Sequence, residues 1–263
     1  MITSLTNPQV KQAVKLRDGK KRREDGLFLI DGRREIQRAI ESGIEIAKIF
    51  YNPDGCGKEF TEKMFSSGAE MSDVSEAVLT KLAYGARDEG AVAVAKRPVR
   101  TLDSLKLSSS PLIGVAEGVE KPGNVGALLR SADGAGLDAL ILADCKTDLY
   151  NPNAVRASLG TVFSVPVVET TSQAAVDWLT KKGIVIFAAI VDGAIEYSAA
   201  DYRQPSAIVV GSEADGLTDA WRGANVQPIF LPMNGIADSL NVSVTAGILF
   251  YHALAQRKKS AKR

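Results

Sequence analysis

The sequence predicts an α/β protein of two domains, residues 1–105 and residues 106–263. Runs of continuous apolar residues recur in the second half, at 112–116, 139–142, 184–190 and 207–210. Continuous rather than alternating apolarity is typical of strands covered on both faces, as in a parallel sheet between helices. Helical patterns lie between these runs, at 125–136 and 174–181, and a last one covers 242–256. A polar segment from 97 to 111, with a proline near each end, places the domain boundary near residue 105.

The first half predicts a smaller α/β domain whose elements follow one another along the chain. A helix starts at Asn7-Pro8, because asparagine caps a helix well and proline suits its first turn. Short strands follow at 27–30 and 46–51, separated by a helix over 33–41 that stops at Gly43. Helical residues around 64–65 and over 75–82 precede an apolar strand at 91–95.

Composition excludes several classes of protein. The chain has 263 residues, of which 45% are hydrophobic and 24% charged, as in folded globular proteins. Its two cysteines lie far apart, so the sequence predicts neither a disulfide framework nor a metal site. No apolar run reaches the roughly 18 residues of a membrane span, so we expect a cytoplasmic protein with no membrane segment.

Basic residues cluster in two places, although the net charge is only +1. The stretch from Lys11 to Arg23 has seven basic residues against one acid, and residues 257–263 have five and no acid. Such clusters can neutralise nucleic-acid phosphates, but a solvated helix face and a charged tail have the same composition. Charge alone leaves both interpretations open.

Three segments of the second half carry residue types that suit a ligand site. The first, 117–132, follows an apolar strand and opens a helix that contains Asn124, Gly126 and Arg130. Glycine lets the backbone approach a ligand closely, and a helix N-terminus favours an anion. We expect Arg130, on a small and apolar stretch, to pair with a phosphate or carboxylate, because an unpaired buried charge is costly. A structural salt bridge is the alternative.

The other two segments also follow short apolar runs. Residues 211–216 form a glycine-rich turn that carries Glu213, at the kind of strand end where open α/β sheets bind ligands. Residues 231–233 end a short strand, and Ser239 or Asn241 is expected to cap the helix that follows. Taken singly, each segment is equally compatible with an ordinary connection between elements.

Together and in this order, the three segments resemble the motifs of the SpoU (TrmH-like) branch of the SPOUT RNA methyltransferases. The resemblance covers about residues 111–256, and none of the motif positions departs from the family pattern. Residues 4–11 and 28–32 resemble, more loosely, the substrate-binding domain that precedes many SpoU catalytic domains. The matching positions are Asn124, Gly126, Arg130 and Ser131, then Gly211, Ser212, Glu213 and Gly216, then 231–233 and 239–243.

The resemblance implies a fold that periodicity does not reveal. A C-terminal SPOUT domain with a parallel sheet and a deep trefoil knot would follow a small α/β domain like certain ribosomal RNA-binding proteins. It further implies a homodimer, S-adenosylmethionine as cofactor, and methylation of a ribose 2′-hydroxyl in ribosomal or transfer RNA. The cofactor-binding positions would be Gly211, Leu231 and Leu240, with Ile190 and Val191 at a neighbouring strand end.

The resemblance also assigns roles to single residues. Arg130 matches the family's essential arginine, which acts either as the base for the 2′-hydroxyl or as a clamp on the substrate phosphate. Asn124, Glu213, Ser239 and Asn241 would support it. The expected RNA contacts are Lys11, Lys20, Lys21, Arg22 and Arg23, together with Arg156, for which a salt bridge is an equal alternative.

Other functions fit these residues less well. A nucleotide-dependent oxidoreductase would need a GxGxxG turn with an acid about 20 residues further on, and the sequence has neither. A non-catalytic RNA-binding protein that keeps the knot would need neither Arg130 nor a complete third motif. The single histidine, His252, is expected on a helix surface or in packing, and Trp178 and Trp221 in the core.

Overall fold

The computed structural model describes residues 1–84, 89–212, 215–223 and 225–260. The chain forms two compact units, one of Met1–Val99 with Asp148–Ser164 and the other of Arg100–Thr147 with Val165–Arg263. The contiguous ranges 1–105 and 106–263 expected from the linker differ from these units mainly in the segment Asp148–Ser164.

Strands and helices are numbered here in chain order. The strands are β1 (Leu27–Asp31), β2 (Ile46–Tyr51), β3 (Glu70–Asp73), β4 (Ala91–Lys96), β5 (Leu112–Glu117), β6 (Ala139–Ala143), β7 (Val167–Thr170), β8 (Val185–Ala189), β9 (Ile195–Glu196), β10 (Ser206–Val210) and β11 (Val226–Phe230). The helices are α1 (Pro8–Lys15), α2 (Gly19–Asp25), α3 (Arg33–Glu41), α4 (Pro53–Cys56), α5 (Lys58–Ser66), α6 (Glu76–Leu82), α7 (Pro122–Ala135), α8 (Pro152–Ala157), α9 (Thr161–Ser164), α10 (Ser172–Lys181) and α11 (Val242–Ser260).

The sheet of the first unit runs in the order β1-β4-β2-β3. β4 is antiparallel to β1 and β2, whereas β3 is parallel to β2. The predicted strands at 27–30, 46–51 and 91–95 are confirmed, but β3 was not predicted, because it is a short, polar strand at the sheet edge. The predicted helix start is also confirmed, since the backbone N–H of Gln9 donates to the Asn7 side chain at 2.9 Å and Pro8 opens α1.

The segment Asp148–Ser164 belongs to the first unit because it packs on β1. α8 lies against this strand, and the Tyr150 ring lies 4.4 Å from the Phe28 ring. Phe163 approaches the same ring at 6.1 Å, and all three aromatic side chains are buried. The polar linker marks the first passage of the chain between the units, but no change in composition marks this return.

The sheet of the second unit runs in the order β7-β6-β5-β10-β8-β11-β9, and its neighbouring strands are parallel. This confirms the predicted parallel α/β sheet. β5, β6 and β10 are buried along their whole length, as their continuous apolar runs predict. Because the strands are parallel, their carboxyl ends meet at one edge, where ligands of open α/β sheets bind.

Two helices of this unit, α7 and α11, pack closely on each other. A Cβ added at Gly134 would overlap the Tyr251 hydroxyl, and one at Gly247 would lie 3.4 Å from Ser131 Oγ. The helix expected over 125–136 begins earlier, at Pro122, and the last helix continues beyond 256 to Ser260. Across the described parts of the chain, no helix combines the length and apolarity needed to cross a membrane.

Candidate functional site

A cavity of about 250 Å³ opens in the second unit at the edge where the parallel strands end. Its walls come from the ends of β8, β10 and β11, the segments that follow them, and the start of α11. Apolar groups predominate, with a few polar ones, which suits an organic ligand. The lining residues include Ala189, Val191, Val210, Gly211, Ser212, Gly216, Ile229, Phe230, Leu231, Met233, Asp238, Ser239, Leu240, Val242 and Thr245.

The wall after β10 is formed by the Gly211 segment, which we define as residues 211–212 and 215–218. Ser212 and Gly216 exchange two backbone hydrogen bonds of 3.1 Å, and Gly216 has the left-handed φ of 69° that favours glycine. A Cβ at Gly211 would lie 2.6 Å from the Leu217 nitrogen and closer still to the Gly216 carbonyl group. Only glycine therefore allows this backbone contact at 211.

Sequence reasoning missed Glu117, at the end of β5. Its carboxylate is 2% exposed and accepts three hydrogen bonds from this unit. Two come from the backbone N–H and the hydroxyl of Thr218, each at 2.7 Å, and the third comes from the Ser172 hydroxyl. An acid at the end of an otherwise apolar strand was the available signal, because a buried carboxylate needs partners.

The wall after β11 leads into α11, and Asn241 joins it to the first motif. The Asn241 side-chain oxygen accepts from the backbone N–H of Ser243 at 2.9 Å, so Asn241 caps the helix as expected. Its amide group donates to Asn124 Oδ1 at 3.2 Å. Asn124 lies in the first turns of α7. The fold thus brings together side chains of the first and third motifs that are far apart in sequence.

Arg130 lies on the exposed surface of α7, although the stretch around it is small and apolar. Its neighbours Leu128 and Leu129 are buried, but the guanidinium points out of the helix packing. Among the residues that the structure describes, the Arg130 side chain has no hydrogen bond or ion pair. No described residue therefore occupies this guanidinium, which can bind a group of another molecule.

The five expected cofactor positions divide into two groups. Gly211, Leu231, Leu240 and Val191 line the cavity. Ile190 instead packs, half-buried, against the hydrophobic core of the unit. Ser239 also lines the cavity, whereas Glu213, the fifth expected catalytic residue, lies outside the described residues.

Cys145 follows β6 at the same edge of the sheet but has no nucleophilic character. Burial raises the pKa of its thiol to about 12, so the thiol stays protonated at neutral pH.

The basic stretch of the first unit is only partly exposed. Arg22 is 1% exposed, donates to Asp148 at 2.8 Å and also to the backbone oxygens of Leu16 and Arg17. The expectation that Arg22 contacts RNA is therefore wrong, because its guanidinium is buried and held by partners inside the unit. Lys20 pairs with Glu24 at 3.9 Å, and Lys21 with Asp25 at 2.8 Å. Lys11 and Arg23 are exposed.

Arg156 serves the packing of the first unit through a backbone carbonyl rather than through the salt bridge given as its alternative. Its Nη1 donates to the Tyr84 backbone oxygen at 2.6 Å. It also faces Asp31, whose carboxyl pKa is raised by burial in spite of the positive charge of Arg156. We therefore withdraw it as a phosphate contact.

Four further residues of the second unit lie where packing requires them. Trp221 is fully buried, and Trp178 Nε1 donates to Asp103 at 3.1 Å, so both tryptophans are confirmed in the core. His252 packs edge-on against Tyr197 at 5.0 Å, which confirms a packing role. Arg257 belongs to the basic C-terminal cluster, yet it donates to four backbone carbonyls: those of Ser110, Pro111, Tyr202 and Gln204.

Known proteins match both halves of the chain. The SpoU rRNA Methylase family matches residues 111–251, and an MRM3-like substrate binding domain matches residues 7–93. A 23S rRNA (uridine(2479)-2′-O)-methyltransferase of Streptomyces viridochromogenes is 32% identical over 247 residues, which cover 90% of this chain and 85% of the relative.

Solved structures match the whole architecture. An RNA 2′-O ribose methyltransferase is 41% identical with a TM-score of 0.84, covering 98% of this chain and 99% of its own. The SpoU methyltransferase AviRb from Streptomyces viridochromogenes, solved in complex with the cofactor AdoMet, is 30% identical with a TM-score of 0.88. That match covers 96% of this chain and 98% of AviRb.

Proposed function

The chain belongs to the SpoU rRNA Methylase family, and we propose from this membership that it methylates a ribose 2′-hydroxyl of ribosomal RNA with S-adenosylmethionine. The observation that carries the proposal is the cavity at the carboxyl edge of the parallel sheet, with the first and third motifs joined by the Asn124–Asn241 hydrogen bond. The relative from Streptomyces, named for a 23S rRNA uridine, supports ribosomal over transfer RNA as substrate.

The cavity residues fit S-adenosylmethionine. Gly211 lines the cavity, and the contact of its backbone with Gly216 and Leu217, which leaves no room for a Cβ, fixes the shape of this wall. Val191, Leu231 and Leu240 offer apolar contact to an adenosine, while Asp238 offers a carboxylate to an ammonium group. When bound, the cofactor supplies a methyl group on a positively charged sulfur.

For transfer, this chain must hold the ribose oxygen in line and weaken its bond to the proton. Holding two reacting groups in the correct geometry lowers the barrier substantially. Arg130 is the residue we assign to the substrate, because its guanidinium is exposed and unengaged among the described residues. A guanidinium presents a planar fork of N–H donors that matches a phosphate, so we favour the phosphate clamp over the direct base.

The remaining motif residues support this geometry. Asn124 and Asn241 tie the start of α7 to the cap of α11, and Ser239 lines the cavity. Glu213, which lies outside the described residues, keeps its proposed supporting role from the motif alone.

The first unit is proposed to bind the RNA. Lys11, Lys20 and Arg23 are exposed, and within the described chain neither Lys11 nor Arg23 is engaged in an ion pair. Free surface cations of this kind neutralise phosphates, whereas Lys21 is already largely satisfied by its two acidic neighbours.

We further propose a homodimer formed through α11. Val244, Ile248 and Tyr251 recur on one face of this helix, and each is between 38% and 51% exposed. An apolar stripe at this spacing favours burial against a partner helix. Ile248→Glu is expected to convert the dimer to a monomer in sedimentation experiments; a wild-type monomer at micromolar concentration would contradict this part of the proposal.

The trefoil knot and the cytoplasmic location also remain proposals. The close packing of α11 on α7, with the start of α11 lining the cavity, supports a knotted C-terminal region. The location follows from ribosomal RNA as substrate.

Transfer of radiolabelled methyl groups to RNA tests the proposal directly. The protein is incubated with labelled S-adenosylmethionine and ribosomal RNA that lacks the host's ribose methylations, and the label is mapped by nuclease digestion. Arg130→Ala is compared with Arg203→Ala, which removes another exposed arginine whose ion-pair partner among the described residues is Asp201. Cofactor binding by each variant is measured by calorimetry.

We expect label on a ribose oxygen with wild type and Arg203→Ala, and a loss of at least about 100-fold with Arg130→Ala at unchanged cofactor affinity. Label on a base would overturn the ribose assignment. Cofactor binding without transfer to any rRNA, free or in ribosomal particles, would instead favour a non-catalytic RNA-binding protein.

A further inference from the structure

We propose that Glu117 is a positioning residue that anchors the Gly211 segment and thereby shapes one wall of the cofactor cavity. The inference rests on the proposed function only in naming S-adenosylmethionine as the ligand of that cavity. The anchoring itself is a property of the free protein and can be measured without a ligand.

Both ends of the Gly211 segment are held by the last two residues of β5. At its start, Val210 pairs in parallel register with Ala116. At its end, Thr218 donates its backbone N–H to one Glu117 oxygen and its hydroxyl to the other, each at 2.7 Å. Two adjacent residues of one strand therefore set the distance between the ends of the segment.

The chemistry of this anchor requires an acceptor with two oxygens. The N–H of Thr218 can only donate, and the Thr218 and Ser172 hydroxyls both direct their protons at the same carboxylate. Hydrogen bonds to a carboxylate are about twice as strong as those between neutral groups. β5 ends directly after Glu117, at Gly118 with a left-handed φ of 65°, and the chain turns away beside Ser212.

The residues between Thr218 and the cavity wall are packed too closely to absorb a displacement of Thr218. Leu217 and Gly216 contact the backbone of Gly211 more closely than a Cβ would permit, and Gly211 lines the cavity. Movement at the anchor must therefore reach the cavity wall, whereas movement at Ser172, which begins α10, does not act on this wall directly.

The test removes one hydroxyl at a time, because Glu117→Ala would leave three donors, one of them on the buried Ser172, without an acceptor and would endanger folding. Thr218→Val and Ser172→Ala each delete one hydroxyl bond to the same carboxylate, but only the first belongs to the segment. Thr218→Ser keeps the hydroxyl and serves as the rescue variant. Hydrogen–deuterium exchange of peptides that cover 211–218 is measured in the free protein, together with melting temperature, calorimetric affinity for S-adenosylmethionine, and KM and kcat.

We expect Thr218→Val to raise the Kd and KM for S-adenosylmethionine about tenfold with kcat within about twofold, and to accelerate exchange over 211–218 about tenfold. Ser172→Ala and Thr218→Ser should leave both readouts within about twofold of wild type, even where Ser172→Ala lowers the melting temperature. Equal effects of Thr218→Val and Ser172→Ala, or unchanged exchange in folded Thr218→Val, would overturn the anchor. A wild-type protein that does not bind S-adenosylmethionine would refute the proposed function, while the exchange comparison would still decide the anchor.

Discussion

Replacing Gly211 by alanine measures how far cofactor binding depends on the close backbone contact at the cavity wall. The added Cβ would lie 2.6 Å from the Leu217 nitrogen, whereas ordinary contacts begin at 3.4 Å. The two parts of the Gly211 segment must therefore separate by about 1 Å. Overpacking of this kind costs about 1–3 kcal/mol. If binding has to reverse the separation, affinity for S-adenosylmethionine falls about 5-fold to about 150-fold, since about 1.4 kcal/mol corresponds to a factor of ten.

Calorimetric titration of the folded variants with S-adenosylmethionine checks this expectation. Gly235→Ala is the matched control, because a Cβ there meets no atom within 4 Å, although Gly235 lies in the other segment bordering the cavity. Its affinity should stay within about twofold of wild type. The steric argument is refuted if Gly211→Ala is folded, by its melting curve, and binds the cofactor as tightly as Gly235→Ala.

Three further predictions concern basic side chains that take part in the packing of the fold. Arg22→Ala leaves the buried Asp148 without its main partner and should lower the free energy of unfolding by about 3–5 kcal/mol in urea titrations. The control Arg23→Ala should change it by no more than about 0.5 kcal/mol, and equal effects of the two variants would mean that burial is not the cause. Arg257→Ala should lower the free energy of unfolding by about 1–3 kcal/mol. Arg257→Lys should be destabilised as well, because an ammonium group cannot donate to all four carbonyls, and wild-type stability of the lysine variant would contradict this prediction. Burial lowers the pKa of His252, so below about pH 6.5 the unfolded chain binds a proton that the folded chain does not, and the free energy of unfolding should fall from pH 7 to pH 5. His252→Gln should flatten the profile of melting temperature against pH over this range, and an unchanged slope would contradict the prediction.

The parallel sheet could be predicted because its central strands are apolar at nearly every position, as strands covered on both faces are. β3 and β9 could not, because edge strands such as Glu70–Asp73 and Ile195–Glu196 bury little surface and carry polar residues. Whether such a segment pairs as a strand depends on the adjacent strand that the fold places beside it, and the local sequence pattern does not show that strand.

The candidate site shows the same division. Gly211, Asn124 and Asn241 stand in motifs whose order suggested a common site, and the structure brings the two asparagines within 3.2 Å. Glu117 was missed because its partners Ser172 and Thr218 come from distant parts of the chain, so its sequence neighbours do not reveal them.

The basic stretch illustrates why composition misleads about surfaces. Counting charges from Lys11 to Arg23 treats each side chain as exposed, although one face of α2 turns inward and carries Arg22 with it. The burial of Arg22 depends on Asp148, a residue 126 positions away. Only long-range packing decides which arginine is structural and which remains available to a ligand.

The return of residues 148–164 to the first unit has a practical consequence for dissecting this protein. A protease that cuts once near residue 100 would leave α8 and α9 on the larger fragment, still packed on β1 of the smaller one, so the two pieces should copurify under native conditions. Conversely, a truncation at residue 99 would uncover the face of Phe28 that Tyr150 and Phe163 shield and should yield an aggregating fragment. A soluble version of the first unit would need residues 148–164 fused to it through a short linker.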